Sequence, residues 1–128
     1  MSFLNRMLEI RLSKQDLLFV LLFGLFGVAY YDSVLDKGPL NAHIWRQTDC
    51  LSLTAHYARG ADFLSPEMHI QLGDNQESGK TAGEFPVLYY AVGLLWQVFG
   101  ESHLIYRLVC LAILFLGLFS FYKSLSIL

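Results

Sequence analysis

Leu17-Leu18-Phe19-Val20-Leu21-Leu22-Phe23-Gly24-Leu25-Phe26-Gly27-Val28-Ala29-Tyr30-Tyr31 is an apolar run without a single charge. A second run, Leu104 to Tyr122, is interrupted only by Arg107 and small polar residues. A helix needs roughly 20 apolar residues to cross a ~30 Å hydrocarbon core, and both runs reach that length once their flanks are included. The expected spans are therefore residues 14–35 and 102–122. Between them, Asp32 to His103 carries nine of the eleven carboxylates and all four histidines. Any chemistry is expected in that loop.

Ser13 followed three residues later by Asp16 reads as a capping box that opens the first span. Tyr30 and Tyr31 suit the far interface, where aromatic rings collect. Arg6, Arg11 and Lys14 precede the first span and Lys123 follows the second, so the basic residues place both ends, 1–13 and 123–128, in the cytoplasm and the loop 36–101 outside. A cleaved signal peptide is the rival reading of the N-terminus. No small-x-small site follows the apolar core at Val28 to Asp32, which favours an uncleaved anchor. Phe3, Leu4, Met7 and Leu8 recur at helical spacing beside Arg6 and Arg11, as in a short interfacial helix, although a frayed amphipathic tail has the same pattern. A net charge of −2 without a basic cluster gives no sign of nucleic acid. Two lone cysteines, Cys50 and Cys110, make no disulfide framework and read as free.

Within the loop, Thr48 to Arg59 has helical periodicity, with Thr48 as an N-cap and Gly60 as a stop, giving a helix near 48–59. Asp49, Ser52, His56 and Arg59 fall on one stripe of it and Leu51, Ala55 and Ala58 on another side. A carboxylate in the first turn is favoured in its charged form by the helix N-terminus, which suits a proton acceptor; the same position also suits a plain helix cap with a solvated stripe. From Gly60 to Gly83 periodicity is lost and glycines gather, as in a mobile surface loop. Gly79-Lys80-Thr81 ends like a phosphate-binding P-loop, but the spacing from Gly73 is wrong and no helix with a sheet behind it follows. Glu84-Phe85-Pro86 then opens a run to Phe99. At ~21 Å of helical rise it is too short to cross, so a helix near 86–99 is expected to lie along the interface, with Tyr89, Tyr90 and Trp96 at headgroup level. His43, His56 and His69 recur every thirteen residues, without the tight spacing of a metal site.

In order, His43-Ile44-Trp45-Arg46-Gln47-Thr48-Asp49, the helix to Gly60, Pro66, Gly83-Glu84-Phe85-Pro86-Val87-Leu88-Tyr89-Tyr90, Phe99-Gly100-Glu101 and Tyr106-Arg107-Leu108 resemble the start of GT-C membrane glycosyltransferases. The likeness is closest to bacterial relatives of protein O-mannosyltransferases and of the lipid A aminoarabinose transferase. The resemblance implies an all-α membrane protein, with two transmembrane helices joined by an extracytoplasmic loop that carries two juxtamembrane helices, in an incomplete GT-C fold of a bacterial inner membrane. It implies transfer of a sugar, with inversion, from a polyprenyl-phosphate carrier to an acceptor at the outer surface, with Asp49 at the catalytic carboxylate.

Two departures stand out. Many members have Glu where this chain has Cys50, which leaves a second carboxylate role to a residue such as Glu84. Some have Lys where this chain has Phe85, which leaves phosphate contacts to Arg46 or Lys80, with His56 as a further substrate-binding candidate. The implied partners are membrane lipid and the lipid-linked sugar donor; no metal ligand is named and a divalent metal is left open. Family members have many more spans, so the chain reads as the N-terminal portion of such an enzyme, whether a fragment, a truncated frame or one piece of a split transferase. The alternative is a non-catalytic two-span membrane protein whose outer loop binds a partner.

Overall fold

The computed structural model describes residues 13–68, 79–80 and 84–126. Among these the chain is helical, with no strand: α1 (Lys14–Tyr31), a 3₁₀ turn (Asn41–His43), α2 (Ile44–Ala58), α3 (Val87–Phe99) and α4 (His103–Leu125). The interfacial segment 1–12 and most of the glycine-rich stretch, 69–78 and 81–83, lie outside the described residues. The chain divides into two compact units. One is built from the first span with Ile113–Leu128, the other from Ser33–Ala112.

α1 and α4 are long and apolar enough to cross a membrane. A core helix of a water-soluble protein would meet the same test, but it would be buried by its own chain. Here Leu17, Leu21, Leu25 and Val28 on α1 and Ile113, Leu116 and Phe121 on α4 are all more than half exposed, so these helices present their apolar surface outward. α1 stops at Tyr31, four residues before the expected end of the span. Its last helical bond runs from the Asp32 N–H to the Val28 carbonyl, and turns follow through Asp36. α4 runs on to Leu125, past the expected end at Tyr122.

In the first unit the capping box is present as the spacing predicts: the Ser13 N–H donates to Asp16 Oδ2 at 2.8 Å, and the Asp16 N–H to Ser13 Oγ at 3.1 Å. Lys123 Nζ reaches both oxygens of the same carboxylate, at 3.1 and 3.2 Å. Phe19 lies among Phe115, Phe119 and Tyr122, with ring centroids 5.1 to 6.1 Å away, and Phe23 meets Phe115 at 5.1 Å. The two apolar segments of this unit are thus held by a ring cluster, worth ~0.5–1.5 kcal/mol per pair beyond burial, and by one ion pair. The Asp16 side chain is only 2% exposed and Lys123 47%. Lys123→Met, which leaves that carboxylate without its cation, is expected to lower stability. Heat inactivation of the purified protein in detergent should show it, and Asp16→Asn in the same protein should restore part of the loss. Unchanged heat stability would make the pair incidental.

In the second unit α2 and α3 pack against each other. The buried face of α2 is Leu53, Thr54 and Tyr57, with Cys50 half-buried beside them, and that of α3 is Tyr89, Val92, Gly93 and Trp96; Met68 from the connecting loop joins them. Gly93 permits this approach, because a Cβ there would lie 2.7 Å from Tyr57 Cβ. Polar side chains secure the connections. Gln97 Nε2 donates to the Tyr57 carbonyl at 3.0 Å, the Tyr57 hydroxyl to the Phe63 carbonyl at 3.1 Å, and Trp96 Nε1 to the Ser102 carbonyl at 3.0 Å. Arg107 donates to the Lys37 and Gly38 carbonyls, at 3.0 and 3.2 Å, and so ties the loop after α1 to the start of α4.

Two expectations are corrected here. Thr48 does not cap its helix: α2 begins four residues earlier, and Thr48 Oγ1 donates back to the Ile44 carbonyl at 2.8 Å. Gln47 secures that earlier start by donating to the Leu40 carbonyl and accepting from the Leu40 N–H. Tyr89 and Trp96 do not point outward to a headgroup layer. They are 6% and 5% exposed, in the core against α2, while the outward face of α3 is Val87, Leu94 and Val98. Gly60, with φ +91°, ends α2 as expected.

Candidate active site

An open cavity of about 230 Å³ lies in the second unit, lined by Arg46, Asp49, Cys50, Leu53, Met68, Glu84 and Tyr89. Its wall is one face of α2, where Arg46, Asp49, Cys50 and Leu53 recur at spacings of three and four, as neighbours on a helix must. The opposite side comes from Glu84, just ahead of α3, and Tyr89 in its first turn. Met68 closes the apolar end, placed by the hydrogen bond from its N–H to the Gly79 carbonyl at 2.9 Å.

Four of the lining side chains form a chain of hydrogen bonds. The Arg46 guanidinium donates to Glu84 Oε1, across 38 residues of sequence. The Tyr89 hydroxyl donates to Glu84 Oε2 at 2.8 Å, and the Cys50 thiol donates to the Tyr89 oxygen at 3.6 Å. Burial pushes the Tyr89 phenol up to about 12, so it remains a donor at any physiological pH. Glu84 therefore has a partner on each oxygen. Its pair with Arg46 is half exposed, with side-chain accessibilities of 51% and 59%, and such pairs are worth only ~0–1 kcal/mol.

The expected site residues thus divide. Arg46, Asp49 and Glu84 share the cavity. His56 and Lys80 are not among its lining residues: His56 Nε2 lies 2.9 Å from the Ser65 carbonyl, and Lys80 is exposed and bridges backbone to backbone with Glu67. Gly79 accepts the Met68 N–H and Lys80 forms the bridge, and Thr81 lies outside the described residues. Asp49 is also not in the first turn. It is the sixth residue of α2, beyond the reach of the N-terminal dipole, so its position in the cavity wall is what recommends it. Tyr89 and Cys50 also line the cavity, with no signal for it in the sequence. Tyr89 reads from sequence as one more interface aromatic, and nothing in its spacing points to Glu84 five residues before it.

Cys50 and Cys110 are both free. Among the described residues no three His, Cys, Asp or Glu side chains gather as a metal-ligand group. Comparison with protein-family models, with curated proteins and with solved structures gives no match.

Proposed function

We propose that this chain is the N-terminal module of a GT-C-type glycosyltransferase, which moves a sugar from a polyprenyl-phosphate carrier to an acceptor hydroxyl at the outer face of the membrane. The observation that carries this reading is the meeting of Arg46, Asp49 and Glu84 in one cavity, from segments far apart in sequence and both picked out by the resemblance. In the proposed reaction the acceptor oxygen attacks the anomeric carbon and the bond from that carbon to the phosphate oxygen breaks. The carrier phosphate leaves with the electron pair, and the acceptor proton passes to Asp49. Arg46 offsets the negative charge that develops on the leaving phosphate. The cavity's modest volume suits one sugar unit, since drug-sized ligands occupy pockets of roughly 300–1,000 Å³. The test is to give membranes containing the full-length product of the reading frame a carrier with radiolabelled sugar. Label should leave the carrier; retention with every carrier tried would count against the reading.

This reading requires that α2 and α3 both lie on the outer side. The basic residues around the spans support that orientation, as does the length of α3, which at 13 residues rises ~20 Å and is too short for a ~30 Å core. Single cysteines placed at the exposed positions Asp62 and Glu101, in a cysteine-free background, test it. Both should react with a membrane-impermeant maleimide added to intact cells. Labelling at position 62 with protection at 101 would mean that α3 crosses, and protection of both would reverse the orientation.

A further inference from the structure

Among the described residues of the site just proposed, one cation, Arg46, faces two carboxylates, Asp49 and Glu84, and it already has a partner. An incoming phosphate therefore meets a guanidinium that already holds a carboxylate. We propose that Glu84 is an internal counter-anion that competes with the phosphate of the carrier for Arg46, so that the cavity takes up phosphate by exchanging one anion for another. The inference rests on the reading of this cavity as the place where the carrier phosphate binds.

The geometry suits an exchange in three ways. The Arg46–Glu84 pair is half exposed on both sides, so water can reach the guanidinium as the carboxylate leaves. Such a pair holds weakly, whereas a phosphate brings more charge and more acceptor oxygens to the planar fork of an arginine. Glu84 also has a second anchor: the buried Tyr89 hydroxyl donates to Oε2, leaving Oε1 as the oxygen that Arg46 holds. When Arg46 turns to phosphate, Glu84 stays on Tyr89 and is not left unpaired beside the new anion. Glu84 accordingly acts as a positioning residue for Arg46, and its role differs from that of a proton acceptor. It keeps the arginine over the cavity while no ligand is bound, and it weakens binding of any anion that needs the same guanidinium.

The test is equilibrium binding of radiolabelled farnesyl phosphate, with farnesol as the uncharged control, to the full-length protein in nanodiscs. Glu84→Gln should bind farnesyl phosphate about 2–5-fold more tightly, the factor set by losing a competitor worth up to ~1 kcal/mol, and should leave farnesol binding unchanged. Arg46→Gln should weaken farnesyl phosphate at least tenfold, and Glu84→Gln should add nothing in that background. Weaker or equal binding by Glu84→Gln overturns the inference. So does tighter binding that persists without Arg46, which would make Glu84 a source of general repulsion only. If Glu84→Gln cannot be recovered, Glu84→Asp, which reaches Arg46 less well, should shift affinity the same way, and its failure to do so has the same meaning. Arg46-dependent binding that Glu84→Gln does not tighten removes this inference alone. Wild-type protein that binds farnesyl phosphate no better than farnesol removes the phosphate reading of the cavity with it.

Discussion

Gly93→Val should abolish the folded α2–α3 unit. A Cβ at position 93 would lie 2.7 Å from Tyr57 Cβ, 3.1 Å from the Ala58 nitrogen and 3.1 Å from the Thr54 carbonyl oxygen. Two of these neighbours are backbone and the third is a Cβ, so no side-chain rotation relieves the contact. The helices must separate, and with them the core of Leu53, Tyr57, Met68 and Tyr89. Even Gly93→Ala, which gains ~0.8–1 kcal/mol of helix propensity, should be net destabilising, because overpacking a close contact costs typically ~1–3 kcal/mol. Valine adds two further methyl groups and loses the propensity gain. Trp96 is buried in this unit, so its fluorescence should report the change, with a red-shifted emission for Gly93→Val. Unaltered emission and heat stability would mean that the close approach of the two helices is not needed.

Asp49→Asn should leave protein levels and fold unchanged while sugar transfer falls by roughly 10² to 10⁴, the range for losing a general base. The substitution keeps the size and shape of the side chain, and Asp49 does not cap α2, so the start of the helix is left as it is. Among the described lining residues it removes the one carboxylate other than Glu84, whose two oxygens accept from Arg46 and Tyr89. The acceptor proton then loses the carboxylate to which the proposed reaction passes it. Rates should be compared in membranes with equal protein. Transfer at the parental rate would remove Asp49 from the mechanism.

What could be read from the sequence was local. The Ser13–Asp16 capping box, the stop at Gly60 and the limits of the run Val87–Phe99 each depend on residues within a turn of one another, and each is found as expected. The start of α2 depends on more. A 3₁₀ turn at Asn41–His43, with Asn41 at φ +63°, and the clamp of Gln47 on Leu40 begin the helix at Ile44, and they convert Thr48 from a cap to an interior residue. The inference that Asp49 benefits from a helix N-terminus falls with that change. Which side of α3 is buried could not be read either, because the helix is apolar apart from Gln97 and its aromatic residues suit a core and an interface equally. Above all, Glu84 meets Arg46 only through the packing of α2 on α3, which Gly93 makes possible and no short-range spacing announces.

The central claim is that the cavity around Asp49 breaks a sugar–phosphate bond on a lipid carrier. A single-turnover reaction addresses it most directly, using the purified full-length protein in nanodiscs, a polyprenyl-phosphate sugar and a mixture of membrane acceptors, with released polyprenyl phosphate and transferred sugar both counted. The account predicts equal amounts of the two from the wild-type protein and neither from Asp49→Asn on the same timescale. Carrier that keeps its sugar in the wild-type reaction, or release that continues unchanged in the variant, would contradict it.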